Sequence, residues 1–281
     1  MSAPFGLSTH IFHGDRLARA HLELAHAHGL DLIELFATRT HVDYHDPRHL
    51  DAIGGWLAEL DMTAASMHAP ITVGLTNGEW GRAYSNASPV AAQRQEAVDE
   101  TLVAIAAARR LKCETLVLHL GLPRGQRIPA GDNDVGAMRK SLEPIAGACT
   151  AAGVRLALEV IPNDLATPDA LLDLLDGDLE LGDAAVCLDF GHAHLVGGAP
   201  EAIDALAGYI LTTHVHDNRG RDDEHLVPYK GTIDWAASLV TMRKIGYDGT
   251  YLMELANTGT PAAVLEEARR ARQKMERALA D

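Results

Sequence analysis

The feature that most constrains the fold is a regular alternation of short apolar runs with longer amphipathic stretches. The apolar runs predict eight strands, at 4–9, 31–36, 62–67, 114–118, 154–159, 184–189, 210–216 and 250–254. The stretches between them carry apolar residues at helical spacing, which predicts helices at 15–28, 46–60, 90–110, 134–152, 167–176, 200–207, 234–245 and 260–280. Strands that alternate with helices favour a parallel sheet, because a helix is the usual connection between two parallel strands.

Eight strand–helix units in 281 residues give about 35 residues per unit, which is typical of a (β/α)8 barrel. A doubly wound sheet is the alternative, but the sequence has no GxGxxG after the first predicted strand and no GxxxxGK[ST]. Neither a linker nor a low-complexity tract divides the chain. We therefore predict an α/β protein in which residues 1–281 form a single-domain (β/α)8 TIM barrel.

Several predicted helices carry local signals at their ends. Thr167-Pro168 and Thr260-Pro261 each place a capping side chain before a proline that suits the first turn of a helix. Glycines at 29, 153 and 246 follow helical stretches and precede strands, which is typical of left-handed helix C-caps.

Composition excludes several classes of protein. The residues AVILMFWYC make up 47% of the chain, enough for a sizeable core, and no apolar run is long enough to span a membrane. The N-terminus lacks the pattern of a secretory signal, and three cysteines favour a reducing compartment. We expect a cytoplasmic protein that could form a homo-oligomer. The net charge of −15 argues against nucleic acid and anionic membranes as partners.

Six consecutive predicted strands end in histidine or carboxylate side chains. These are His68, His119, Glu159, Asp189 with the nearby His192, His216 and Glu254. In a barrel the carboxyl ends of all strands open on one mouth. Carboxylates crowded together repel one another unless a cation compensates their charge. The pattern therefore predicts a divalent metal, and mixed Glu, Asp and His ligands suit Zn²⁺, Mn²⁺, Fe²⁺ or Co²⁺.

These residue types also have ordinary structural explanations. A single histidine at a strand end is more often a packed rim residue than a ligand, whereas an unpaired glutamate closing an apolar strand costs free energy. Glu159 and Glu254 are therefore the strongest candidates. The Asp223-x-His225 pair lies in a polar loop, where such pairs are usually solvated. Eight histidines precede residue 50, and we expect most of them on the surface.

Four motifs together resemble the xylose-isomerase-like TIM barrel superfamily. They are LEVIPN, LDFGHAH, HVHDNRGRDDEHLVPYKGTIDW and LMEL, and the family is the sugar (phosphate) isomerase/epimerase group, related to the type IV apurinic endonucleases. The resemblance to the epimerases implies one divalent ion held by Glu159, Asp189, His216 and Glu254. The resemblance to the endonucleases implies a three-zinc cluster, whose further ligands would be His68, His119, His192, Asp223 and His225.

The leading hypothesis is a metal-dependent isomerase or epimerase acting on a small sugar or polyol, sugar phosphates included. One to three divalent ions, Mn, Zn, Co, Fe or Mg, would polarise adjacent carbonyl and hydroxyl oxygens. Glu159 and Glu254 would take and return a proton through an enediolate formed next to the metal-bound carbonyl. The side chains expected to contact substrate oxygens are His68, His119, His192 and Lys230.

Three alternatives remain open at this point. Loss of a β-substituent from the same enediolate would make the protein a keto-sugar lyase or dehydratase. The nine-ligand match favours instead a multi-zinc phosphoesterase similar to the apurinic endonucleases. A barrel that binds metal without catalysis is the third alternative. The number of bound ions and the reaction catalysed distinguish among them.

Overall fold

A computed structural model of the protein describes residues 3–126 and 128–280, and in it eight parallel strands close a barrel. The barrel strands are β1 (Phe5–Ser8), β2 (Leu32–Phe36), β3 (Thr63–His68), β6 (Thr115–Leu118), β7 (Arg155–Glu159), β8 (Ala185–Asp189), β9 (Ile210–Val215) and β10 (Tyr251–Met253). They neighbour one another in that order, and β10 pairs with β1 to complete the ring. Every strand boundary lies within one residue of the prediction, and the predicted TIM barrel is confirmed.

Helices connect the barrel strands on the outside. They are α1 (Arg19–Ala27), α2 (Pro47–Glu59), α3 (Ala91–Arg110), α4 (Val135–Ala152), α5 (Pro168–Leu175), α6 (Phe190–Val196), α7 (Ala199–Ala205), α8 (Trp235–Lys244) and α9 (Pro261–Ala280). Thr167 caps α5, since its side chain accepts a hydrogen bond from the backbone N–H of Ala170. Gly153 ends α4 with a φ of 69°, as the cap prediction requires. None of these helices is long and apolar enough to cross a membrane.

The interior of the barrel changes from small apolar to polar side chains toward the mouth. Val117, Ala157 and Cys187, from three adjacent strands, form a small buried cluster. Two residues further along β7 and β8 come Glu159 and Asp189, which therefore point to the same side of their strands. The barrel thus presents its carboxylates above a layer of small side chains.

Two elements of the barrel mouth were not predicted from the sequence. Within residues 69–89, β4 (Leu75–Thr76) and β5 (Glu79–Trp80) form an antiparallel hairpin. Its Asn77-Gly78 turn has positive φ at both residues, 54° and 80°, as a two-residue hairpin turn requires. The segment directly after Asp189 forms the short helix α6.

Two of the eight histidines before residue 50 are buried, although most of the eight were expected at the surface. His41 is fully buried and His49 is nearly so. His41 donates from Nδ1 to the carbonyl of Asp15 at 2.6 Å, and His49 Nε2 lies 3.0 Å from the carbonyl of Leu17. Both imidazoles therefore join loops at the start of the chain to the rest of the protein.

Candidate metal centre

The structure brings the nine predicted ligand positions together at the barrel mouth. Strands or their ends position His68, His119, Glu159, Asp189, His216 and Glu254, while α6 positions His192 and the loop after β9 positions Asp223 and His225. The side chains of Glu159, Asp189 and His216 are fully inaccessible to solvent. A cluster of ionisable groups thus fills the place where an ordinary barrel would be apolar.

Glu159 lies at the centre of this cluster. Its Oε2 is 3.1 Å from Nε2 of His68 and 3.1 Å from Nε2 of His119. Its Oε1 is 3.2 Å from Nδ1 of His214 and 3.3 Å from Nδ1 of His192. The Glu159 carboxylate therefore contacts four imidazoles, two through each oxygen.

The start of α6 orients Asp189. One carboxylate oxygen, Oδ1, accepts a hydrogen bond of 2.6 Å from the backbone N–H of His192 and so caps the helix. The other oxygen, Oδ2, lies 3.0 Å from Nε2 of His216. Because the cap fixes one oxygen, the second is held toward the cluster.

A second group of possible ligands lies on the outer side of the cluster. The ligand atoms of His192, His216, Asp223 and His225 all fall within 4.8 Å of one another. Asp223 Oδ2 is 3.1 Å from Nε2 of His192 and 3.0 Å from Nε2 of His225, and the rings of His216 and His225 stack at 4.0 Å. Asp223 and His225 of the loop after β9 therefore belong to the cluster and are not an ordinary solvated pair.

The histidines and carboxylates of the cluster shift one another's pKa. Burial lowers the pKa of His68, but the hydrogen bond and charge of Glu159 outweigh it and raise the value to about 9. Burial likewise lowers the pKa of His225, but Asp223 outweighs it and raises the value to about 9. Burial raises the pKa of Glu159, yet His119 and other imidazoles hold it well below the ordinary range. Protons on histidines thus balance the buried carboxylates, and a divalent cation can replace them.

The residues fit a divalent metal by two further observations. Nδ1 of His216 is buried and has no hydrogen-bond partner among the described residues. Gly191 leaves room for this ring, because a Cβ there would lie 2.0 Å from Cε1 of His216. The donor set of carboxylates and imidazoles suits a borderline transition ion such as Zn²⁺, Mn²⁺, Co²⁺ or Fe²⁺.

A buried pair, Glu34 and His214, lies beneath the cluster, and Glu34 was not among the residues predicted from the sequence. Glu34 of β2 is fully buried and accepts a hydrogen bond of 2.8 Å from Ser66 Oγ. Its Oε1 lies 3.1 Å from Nε2 of His214, so that His214 joins Glu34 to Glu159 and Glu254. The sequence did contain a signal for Glu34, since an acidic residue interrupts the apolar strand LIELF.

Lys230 stands apart from the other predicted site residues. Its ammonium lies 3.1 Å from Oε1 of Glu267 on α9, and both side chains are about half exposed. Among the described residues, no hydrogen bond or ion pair connects Lys230 to the cluster. His10, which no motif singled out, lies beside the cluster, with its ring centroid 5.0 Å from that of His225.

The family to which this fold and cluster belong is shown by comparison with known proteins. The family model described as xylose isomerase-like TIM barrel matches residues 22–277. The chain therefore belongs to the xylose isomerase-like TIM barrel family, as the four sequence motifs indicated.

Individual relatives are distant. A protein of Methanocaldococcus jannaschii described as uncharacterised is 26% identical over 267 residues, which cover 90% of this chain and 84% of the relative. The crystal structure of a D-tagatose 3-epimerase-like protein superposes with a TM-score of 0.77 at 24% identity, covering 100% of this chain and 97% of the other. A 3-keto-D-glucoside 4-epimerase from E. coli superposes at 0.74 with 13% identity, covering 98% and 99%. At these identities the structural likeness establishes the fold.

Proposed function

We propose that this protein is a divalent-metal-dependent isomerase or epimerase of a small sugar or polyol that carries a carbonyl next to a hydroxyl group. The observation that carries the proposal is the convergence of two glutamates. Oε1 of Glu159 and Oε2 of Glu254 both lie 3.2 Å from Nδ1 of His214. Two carboxylates from different strands therefore face one small volume at the barrel mouth.

The residues proposed to hold the ion are Glu159, Asp189, His216 and Glu254. When bound, a divalent ion supplies Lewis-acid polarisation of neighbouring carbonyl and hydroxyl oxygens. His68, His119 and His192 surround Glu159 and are placed to contact substrate oxygens, or further ions if the centre is multinuclear. Lys230 is left out of this set because its ammonium pairs with Glu267.

The chain's own contribution to the reaction is proton transfer by the two glutamates. One carboxylate takes the proton from the carbon next to the substrate carbonyl. Return of the proton to the neighbouring carbon gives isomerisation, and return to the opposite face of the same carbon gives epimerisation. Loss of a β-substituent instead of proton return gives elimination, so a keto-sugar lyase or dehydratase would use the same residues.

The similar structures support this class of substrate. They include a D-tagatose 3-epimerase-like protein, a D-psicose 3-epimerase and a 3-keto-D-glucoside 4-epimerase. The three cysteines, which are free and buried, support the further proposal of a reducing cytoplasmic location.

The test of the proposed function combines metal depletion with solvent exchange. The protein is treated exhaustively with a chelator, reloaded separately with Mn²⁺, Zn²⁺, Co²⁺, Fe²⁺ or Mg²⁺, and incubated with ketoses and keto-glycosides in D₂O. We expect deuterium at the carbon next to the carbonyl only after reloading. Full activity after chelation would overturn the metal dependence, and deuterium-free product would indicate hydride shift instead of proton transfer.

Two variants locate the chemistry. Glu159→Gln should fold as the parent does, as judged by circular dichroism, but lose most of its metal or its exchange activity. Glu143→Gln is the matched control, because Glu143 is exposed on α4 and its substitution should change neither. Equal activity of the two variants would contradict the proposed role of Glu159.

A multi-zinc phosphoesterase is the second candidate function. The observation that favours it is the grouping of His192, His216, Asp223 and His225 next to Glu159, whose Oε1 lies 3.3 Å from Nδ1 of His192, because two or three neighbouring ions suit phosphate-ester hydrolysis. Three equivalents of zinc with cleavage of an abasic duplex would establish this function. One equivalent with deuterium exchange into a sugar would exclude it.

A further inference from the structure

Hydrogen bonds between its two ends close the loop that follows β9. Asp217 comes directly after His216 and is fully buried. Its Oδ1 accepts a hydrogen bond of 3.2 Å from the backbone N–H of Ile233, and its Oδ2 accepts one of 2.9 Å from the indole N–H of Trp235, the first residue of α8. These bonds join the two ends of the motif HVHDNRGRDDEHLVPYKGTIDW, whose DN and GTIDW parts the metal ligands leave unexplained.

Asn218 closes the loop a second time. Its carbonyl accepts a hydrogen bond of 2.8 Å from the backbone N–H of Thr232. The two ends lie so close together that a Cβ on Gly231 would be 2.2 Å from the carbonyl oxygen of Asn218 and 2.3 Å from Oδ1 of Asp217. Glycine is therefore required at position 231. We call the four residues that join the ends the clasp: Asp217, Asn218, Thr232 and Trp235.

The loop that the clasp closes carries the outer pair, by which we mean Asp223 and His225. The backbone N–H groups of Asp217 and Leu226 each donate to the other residue's carbonyl, at 2.7 and 2.8 Å. His225, just before Leu226, has a φ of 46°, a left-handed conformation that a residue with a side chain keeps only where its surroundings hold it. Asp217 therefore fixes the loop beside His225 through its backbone and at the far end through its side chain.

The inner ligands do not depend on the clasp in this way. Three of the four residues proposed to hold the ion lie at the ends of other strands, β7, β8 and β10; these are Glu159, Asp189 and Glu254. The side chain of Asp217, in contrast, makes all its hydrogen bonds to described residues within 218–235. Opening the clasp would therefore release the outer pair and leave the three carboxylates in place.

A buried carboxylate is an expensive way to join the ends of a loop. Asp217 has three N–H donors but no cationic partner among the described residues, and burial of a charge without an ion pair costs free energy. Apolar side chains in its place would often stabilise the fold equally well. Hydrogen bonds, however, fix direction as well as distance. The carboxylate therefore contributes position more than stability.

We propose that Asp217 is a positioning residue for the outer pair and that it acts through the indole of Trp235. The clasp holds the loop in the form that places Oδ2 of Asp223 3.1 Å from Nε2 of His192 and 3.0 Å from Nε2 of His225. An ion held by the outer pair depends on the clasp, whereas an ion held by the carboxylates at the strand ends does not. The inference rests on the metal centre of the proposed function but not on the reaction assigned to it.

The test counts bound ions and measures the affinity for each. The metal-depleted full chain is titrated with Co²⁺ in competition with a chromophoric chelator, and we expect two classes of bound ion in the parent. Trp235→Phe keeps an aromatic ring but removes the N–H donor, so it should lower the affinity for one class at least about tenfold and leave the other nearly unchanged. Trp56→Phe, on α2 with its ring against His49, is the matched control and should change neither class.

A double-mutant cycle distinguishes positioning from a general loss of stability. Asp217→Asn keeps the shape of the side chain, but an amide nitrogen cannot accept a hydrogen bond, so it should weaken the same class of ion. If Asp217 acts through the indole, Asp217→Asn should weaken that class little further in the Trp235→Phe background. Additive losses, or equal losses in both classes of ion, would overturn the inference.

Deuterium exchange in the parent separates the inference from the proposed function. Two classes of ion, one weakened by Trp235→Phe, without exchange into any carbonyl probe would support the clasp and refute the function. Exchange in the parent, with ion affinities that Trp235→Phe leaves unchanged, would overturn the inference and leave the function intact. A parent that binds a single ion would also overturn the inference, because the outer pair would then hold no ion of its own.

Discussion

His214 lies between Glu34 on one side and the two proposed catalytic glutamates on the other. Nε2 of His214 is 3.1 Å from Oε1 of Glu34, and Nδ1 is 3.2 Å from both Oε1 of Glu159 and Oε2 of Glu254. Each ring nitrogen thus faces a carboxylate, so Glu34 fixes the orientation of the imidazole. The imidazole in turn fixes the glutamates, which is the arrangement of outer partners that orient metal ligands.

The first prediction concerns Glu34. Glu34→Gln keeps the size of the side chain but removes the charge that holds His214, so we expect divalent-ion affinity to fall about 10- to 100-fold. Competition with a chromophoric chelator measures this, without any need for a substrate. Asp51→Asn is the control, because Asp51 pairs with Arg110 at the surface. Parental affinity in Glu34→Gln would show that Glu34 serves packing alone.

The second prediction concerns Gly191. An added Cβ would lie 2.0 Å from Cε1 and 2.4 Å from Nδ1 of His216, so Gly191→Ala must displace the imidazole. We expect metal affinity to fall at least tenfold by the same chelator competition. Gly55→Ala is the matched control, because nothing lies within 4 Å of its added Cβ and alanine suits the helix better than glycine. If Gly191→Ala binds metal normally, His216 is not a ligand.

The third prediction concerns the pH dependence of metal binding. The pKa values of His68 and His225 are raised to about 9 by Glu159 and Asp223, against the effect of burial. An ion that uses these histidines must displace their protons, so affinity should rise with pH up to about 9. Calorimetry near neutral pH in two buffers of different ionisation enthalpy would measure the released protons. Binding without proton release would place both histidines outside the ligand set.

The fourth prediction concerns acid stability and His41. Burial lowers the pKa of His41 to about 3, whereas in the unfolded chain it is about 6.5. Between these values the unfolded chain binds the proton and the folded one does not, so the contribution of His41 to stability is complete above pH 6.5 and is lost as pH falls toward 3.

His41→Asn should therefore flatten the dependence of the free energy of unfolding on pH between about 6.5 and 4. Urea denaturation in the presence of a chelator measures this slope and keeps metal binding out of it. The exposed His26→Asn is the control and should leave the slope as it is. An unchanged slope in His41→Asn would mean that other groups cause the acid sensitivity.

The fifth prediction concerns nucleic acid. A net charge of −15 repels a phosphate backbone, so we expect no binding to abasic duplex DNA at physiological salt. Fluorescence anisotropy of a labelled duplex, with and without loaded zinc, measures this. Salt-sensitive binding below micromolar concentration, with strand incision, would make the phosphoesterase the leading candidate function.

The sequence by itself determined the barrel and the end of each strand. The alternation of short apolar strands with amphipathic helices is a local property of the chain. The carboxyl ends of the parallel strands of a barrel all open on one mouth. For this reason the positions of Glu159, Asp189 and Glu254 at strand ends predicted one shared cluster. Acidic residues at the end of buried strands are informative because an isolated buried carboxylate costs too much free energy to occur without a partner.

The tertiary structure alone decided which other side chains join them. Glu34 and His214 are far apart in the chain, and only closure of the barrel brings their side chains within 3.1 Å. The rings of Trp80 and His10 likewise both pack against the ring of His13 only because the hairpin of β4 and β5 folds over the mouth. Periodicity records which face of its own strand or helix a residue occupies, but contacts between loops depend on how distant elements close on one another. The positions of the two glutamates can therefore be predicted from the strands, whereas the contacts among the rings of Trp80, His13 and His10 are seen only in the folded molecule.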